Sequence, residues 1–241
     1  MSPFRSGAEY LQRGVKERGY SAPKGVFMVI NHEHYKYKQK QKKIGKGRFN
    51  GAYYYSKELC QNIIPRVKTQ RHWITINIPN VGCDYSIVFI HNNLSAENYE
   101  WLSQFKDLVL VCGVPETCNK VAHLGKAIYL PLSVDVEYVR QFATEKTKDT
   151  AFVGRASKMK YGKLPKNIDY LCGMQREELL KRMAEYKRVY AVGRVAIEAK
   201  ILGCEVLPYD DRFPDTDRWQ ILDNAEAAVI LQKMLDEIDG H

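Results

Sequence analysis

Short apolar runs alternate along this chain with stretches whose apolar residues recur every three or four positions. The runs at 26–30 (VFMVI), 72–78 (HWITINI), 85–90 (YSIVFI), 107–111, 127–130, 150–155, 168–171 and 189–192 (VYAV) are short and largely β-branched, as buried parallel strands are. Between them lie helical stretches with recognisable starts and stops. Ser95 caps a helix expected to reach about Phe105, and Pro115-Glu116 opens one that Gly125 closes. Further helices are expected over 9–18, 56–64, 136–144, 177–186, 194–202 and 217–238. Strands alternating with helices throughout imply an α/β protein built on parallel sheets. The polar break Lys146-Thr-Lys-Asp149 divides the pattern into an expected lobe at 1–148 and a second at 149–241. The expected architecture is two doubly wound parallel-sheet lobes, with ligands held at the carboxyl ends of strands in a cleft between them.

The stretch 189–207 (VYAVGRVAIEAKILGCEVL) carries the most local information. It reads as a strand end, a Gly193 turn, a helix, a Gly203 stop and a second short strand. Ala196 and Ala199 are small enough for close packing on a sheet. A helix that starts just after a parallel strand aims its first N–H groups at the strand ends, where an anion docks. Arg194 adds a charged fork there, and Glu198 lies four residues on, on the same face.

Composition adds three constraints. A hydrophobic content of 45% supports a packed core in 241 residues, yet no apolar run is long enough to span a membrane. The start lacks the apolar stretch of a signal peptide. The six cysteines (60, 83, 112, 118, 172 and 204) include no Cys-x-x-Cys pair. They read as reduced thiols of a cytoplasmic protein, and no metal site is expected. The net charge is +9, of which residues 36–48 (KYKQKQKKIGKGR) contribute seven cations and no acid, leaving +2 for the rest. Basicity so concentrated points to a local anionic partner. Lys40, Lys42 and Lys43 are its candidate contacts, with His32 and His34 just before them. A solvated flexible loop is the plain alternative.

Three segments resemble the GT-B glycosyltransferases, particularly the retaining branch that uses nucleotide-sugar donors. They are 130–135 (LPLSVD), 151–155 (AFVGR) and 192–207 (VGRVAIEAKILGCEVL). The resemblance implies a metal-independent transfer of a sugar from a nucleotide-sugar donor, such as a UDP-sugar, to an acceptor hydroxyl, with no further cofactor. It implies that Arg155 binds phosphate with Lys160, chosen among Lys158, Lys160 and Lys163. The backbone at Gly193, Arg194 and Val195 would face the phosphates, Glu198 would hold ribose hydroxyls, and the loop 172–175 would lie near the base. His91, at the end of an apolar strand, is the candidate catalytic residue, or else a strand-end histidine bonded to a loop carbonyl. The family's Glu-x7-Glu pattern has Tyr190 at its first position here, and His32-Glu33-His34 stands where a Gly-rich loop is usual. With the basic segment, the resemblance points to an anionic acceptor, either modified DNA or an anionic glycan or lipid-linked acceptor. Two alternatives stay open: an inactive module on the same scaffold that binds a nucleotide, nucleic acid or protein, and a plain nucleic-acid-binding protein.

Overall fold

The structure is a computed structural model that describes residues 55, 58–75, 84–90 and 94–240. The expected strand at 26–30, His32, His34, Lys40, Lys42, Lys43, Cys83 and His91 lie outside the described residues. The fold is α/β, with two four-stranded sheets that are parallel throughout. Each sheet belongs to its own compact unit.

The first unit includes residues 59–131 and 228–240. Its strands are β1 (His72–Thr75), β2 (Ser86–Ile90), β3 (Val109–Cys112) and β4 (Lys126–Tyr129), laid side by side in chain order. Helix α1 (Ala96–Leu102) joins β2 to β3, and α2 (Pro115–Val121) joins β3 to β4. The α1 start is the expected one: the Ser95 hydroxyl accepts from the Asn98 N–H, and the Asn98 side chain accepts from the Ser95 N–H. Every residue of β2 and β3 is buried, as a parallel sheet covered on both faces requires. One face gathers Ile74, Val88, Ile90, Leu110 and Cys112 with Leu102 of α1 and Val121 of α2. Of the expected helix over 56–64, Glu58 is α-helical, and it is followed by a π-helical turn (Leu59–Ile63) that runs into a 3-10 turn (Ile64–Arg66), with Pro65 near its start.

The second unit includes Tyr55, Glu58 and residues 132–227. After α3 (Val136–Arg140) come β5 (Lys148–Gly154), a 3-10 helix (Ala156–Tyr161), β6 (Asp169–Cys172), α4 (Arg176–Ala184), β7 (Tyr186–Tyr190), α5 (Arg194–Ile201) and β8 (Glu205–Leu207). The sheet order is β6-β5-β7-β8. The chain therefore steps from β5 to one side and then returns across it, so β5 and β7 flank a topological switch point. Helix α5 packs on β7, β8, α3 and α4, and its Ala196 and Ala199 are fully buried. It ends as Gly203 predicts. With φ at +76°, the Gly203 N–H reaches Lys200 O at 3.0 Å and the Cys204 N–H reaches Ala199 O at 2.9 Å.

The division between units falls between Pro131 and Leu132 rather than at 148–149. Lys146, read from sequence as part of a polar break, explains why. Its ammonium donates to Ala184 O at 2.8 Å and to Leu202 O at 2.6 Å, the carbonyls that close α4 and α5. Leu132, Val134 and Val139 are buried in the same unit, and Val134 bridges to Asp223. The last helix, α6, spans Asn224–Asp239 rather than starting near 217. Asp223 fixes that start: its carboxylate accepts from the Ala225 N–H at 2.8 Å, while Glu226 accepts from the Asp223 N–H. From residue 228 onward this helix belongs to the first unit, where Leu231 and Leu235 are buried.

Candidate functional site

The switch point of the second unit brings together two strand ends, each with a glycine in or just after it. Strand β5 ends in Gly154, followed by Arg155; β7 ends in Tyr190 and leads through Gly193 into α5. Gly193 has φ at +68°, a left-handed conformation that a side chain disfavours. The turn it makes lets α5 begin at once. The first helical bonds run from the Ala196 and Ile197 N–H groups to Gly193 O, at 2.9 and 3.3 Å. The Arg194 and Val195 N–H groups therefore open the helix with no intrahelical acceptor. Gly193 and Val195 are half-buried.

The Arg194 side chain turns inward instead. The Glu58 carboxylate accepts from Arg194 Nη2 and, at 2.6 Å, from Arg176 Nη1. Its other oxygen accepts from the Asn224 amide at 3.0 Å and from the Asp135 N–H at 3.2 Å. Glu198 completes the group, with Oε1 at 2.8 Å from Arg176 Nη2 and 3.4 Å from Arg194 Nε. Two arginines thus meet two glutamates, all four at most 9% exposed. Burial opposes the Glu58 charge, but Arg194, Arg176 and the Asn224 amide outweigh it and hold its pKa below the usual carboxylate value. Glu198 is 4% exposed and faces two guanidinium groups, which differs from the open, ribose-binding carboxylate that the family resemblance implies.

A different set of cations reaches the surface. Arg155 caps the 3-10 helix after β5, and the Lys158 N–H bonds to Arg155 O at 2.9 Å. In a 3-10 helix side chains three apart eclipse, so Lys158 and Tyr161 share one edge, and Arg155 is the extended residue that precedes them at the cap. Lys160 falls off that edge; it is exposed, with its ammonium 5.1 Å from the Tyr161 ring. Lys158 is half-buried and its pKa is lowered, first by burial and then by the charges of Arg155 and Arg212, with Asp210 opposing. Of these two lysines, Lys158 is the one on which the Arg155 charge acts.

Arg212 arrives from the loop after β8. Its Nε and Nη2 donate to the two Asp210 oxygens at 2.8 and 2.6 Å, and its guanidinium lies 3.5 Å from the Tyr161 ring centroid. Asp210 is 1% exposed, while Asp211 is exposed. The two loops are locked together at Gly162, where a Cβ would stand 1.3 Å from Tyr209 O. The Asp211 N–H also bonds to Tyr161 O at 3.0 Å. The expected base-side loop starts at Cys172, the carboxyl end of β6, and Gln175 precedes α4.

Among the described residues no group of His, Cys, Asp or Glu could hold a metal ion, and no helix is long and apolar enough to cross a membrane. The five described cysteines are free, and burial pushes the Cys60 thiol up to about 12. Comparison with protein-family models, curated proteins and solved structures returns no match.

Proposed function

We propose that the second unit binds the diphosphate of a nucleotide sugar and that the protein transfers the sugar to an acceptor hydroxyl. One observation carries this reading. Arg155 and the open N–H groups of α5 stand at the carboxyl ends of β5 and β7, the adjacent strands between which the sheet reverses its winding. Crevices of this kind are where open parallel sheets bind ligands, and a helix start there favours an anion. Arg155 and Lys158 supply charge for a diphosphate leaving group, and the Arg194 and Val195 N–H groups supply backbone donors. The ribose role of Glu198 is not part of the proposal, because its carboxylate is buried between Arg176 and Arg194. An anionic acceptor such as modified DNA rests on the cations of residues 36–48.

A second reading is a nucleotide-binding module without turnover. It is favoured by Tyr190, which ends β7 half-buried where retaining GT-B enzymes carry a sugar-binding glutamate. A panel of nucleotide sugars, incubated with the full chain with and without a DNA acceptor, separates the two. Release of nucleoside diphosphate from one donor, abolished in Arg155→Ala, is the expected result. Tight nucleotide binding with every donor left intact would replace the first reading by the second.

A further inference from the structure

Among the described residues, one cation cluster is assembled from two separate loops and held in place before any ligand arrives. Lys158 shares an edge of the 3-10 helix with Tyr161, Arg155 caps that helix close enough for its charge to act on Lys158, and Arg212 comes from the far side of the sheet to lie on that tyrosine. The Asp210 fork fixes the guanidinium in its plane and the Tyr161 ring fixes its face. Because Nε and Nη2 are taken by Asp210, the Nη1 edge is left for another acceptor. Asp210 is the single carboxylate that acts on Lys158, and it is already engaged in both its oxygens. Three cations against one carboxylate leave two positive charges uncompensated. Lys158 is half-buried among them, an arrangement that costs free energy until an anion joins it.

We propose that Arg155, Lys158 and Arg212 form a preorganised site for a phosphoryl dianion, in which Arg212, delivered by the loop after β8, is a ligand-binding residue oriented by Asp210 and Tyr161. The inference rests on the nucleotide reading above and deepens it by naming the groups that hold the terminal phosphate. The shared chemistry is a phosphate carrying two negative charges, whether on a nucleoside diphosphate or on a sugar phosphate.

The test is calorimetric titration of the full chain with inorganic pyrophosphate, then with uridine diphosphate and glucose 1-phosphate to distinguish the two sources. Lys158→Gln and Arg212→Gln should each weaken pyrophosphate binding by about tenfold or more, as loss of a charged hydrogen bond does. Lys160→Gln, an equal loss of surface charge off the shared edge, should change it by less than about twofold. Arg212→Lys keeps the charge but loses the fork and the ring contact, so it should recover only part of the affinity. Thermal melts confirm that each variant is folded. Unchanged binding in Arg212→Gln, or an equal loss in Lys160→Gln, would overturn the site, as would absence of pyrophosphate binding by the native chain. Pyrophosphate binding with this pattern but no consumption of any nucleotide sugar leaves the site standing and removes the transferase reading. Consumption of a donor with Arg212→Gln fully active does the reverse.

Discussion

Glu58 is the residue on which the second unit's polar interior depends. It accepts hydrogen bonds from two guanidinium groups, one side-chain amide and one backbone N–H while itself nearly inaccessible. Removing one partner of such a group leaves the others charged and buried. Glu58→Ala should therefore lower stability by about 3–5 kcal/mol, measured by urea unfolding. The pH dependence follows from the direction of its shift. A carboxylate whose folded pKa lies below its ordinary value of 4.5 stabilises fully above that value and loses the contribution as pH falls through the lowered pKa. The stability gap between the native chain and Glu58→Gln should be constant at neutral pH and narrow below about pH 4.5. Nothing local in the sequence marks this residue, since its partners Arg176 and Arg194 lie 118 and 136 positions away. Ion-pair partners so distant in sequence are set by tertiary packing. The choice between Lys158 and Lys160 was open for a different reason: Lys158 falls on the Tyr161 edge only if the segment winds with period three, and composition does not distinguish a 3-10 helix from a loop.

At the scale of elements, most of the fold was legible. Apolar runs became parallel strands, and Ser95, Pro115, Gly193 and Gly203 marked helix ends because each solves a local backbone problem. The misjudged element was 132–147. Its Glu137, Arg140 and Glu145 face solvent, while its apolar Leu132, Val134, Val136 and Val139 pack into the second unit. The pattern along the chain shows that such a stretch is amphipathic but not against which sheet it lies. Lys146 is the clearest instance, a lysine in a polar run that closes two helices at once. Its ammonium meets two carbonyl ends in a half-buried place, so Lys146→Met should destabilise the second unit by about 1–3 kcal/mol. A thermal or denaturant melt showing no loss would mean that water satisfies the Ala184 and Leu202 carbonyls equally well.

For the molecule as a whole, two units with separate cores lead to separable stabilities. The first unit has its own buried charge, Arg71, whose guanidinium pairs with Asp239 at 2.6 Å and donates to Asp107 O at 2.8 Å. Differential scanning calorimetry should resolve two components, one lowered by Arg71→Ala and the other by Glu58→Ala. A single transition displaced equally by both substitutions would show that the units melt as one. Parallel β-α order is a property that sequence periodicity carries well. Membership of a unit is not, because the chain passes between units after Glu58, after Pro131 and after Ala227.

That last passage has a consequence for how the chain is made. Residues 132–227 leave the ribosome as a consecutive block that includes a whole sheet with its helices. The first unit, whose strands emerge earlier, still lacks Leu231, Leu235 and the Asp239 carboxylate that Arg71 requires. Domains ordinarily fold in the order of synthesis. Here the order is inverted at the finish: the sheet translated first is completed last, and during that interval its unclosed core is the part of the nascent chain most in need of a chaperone.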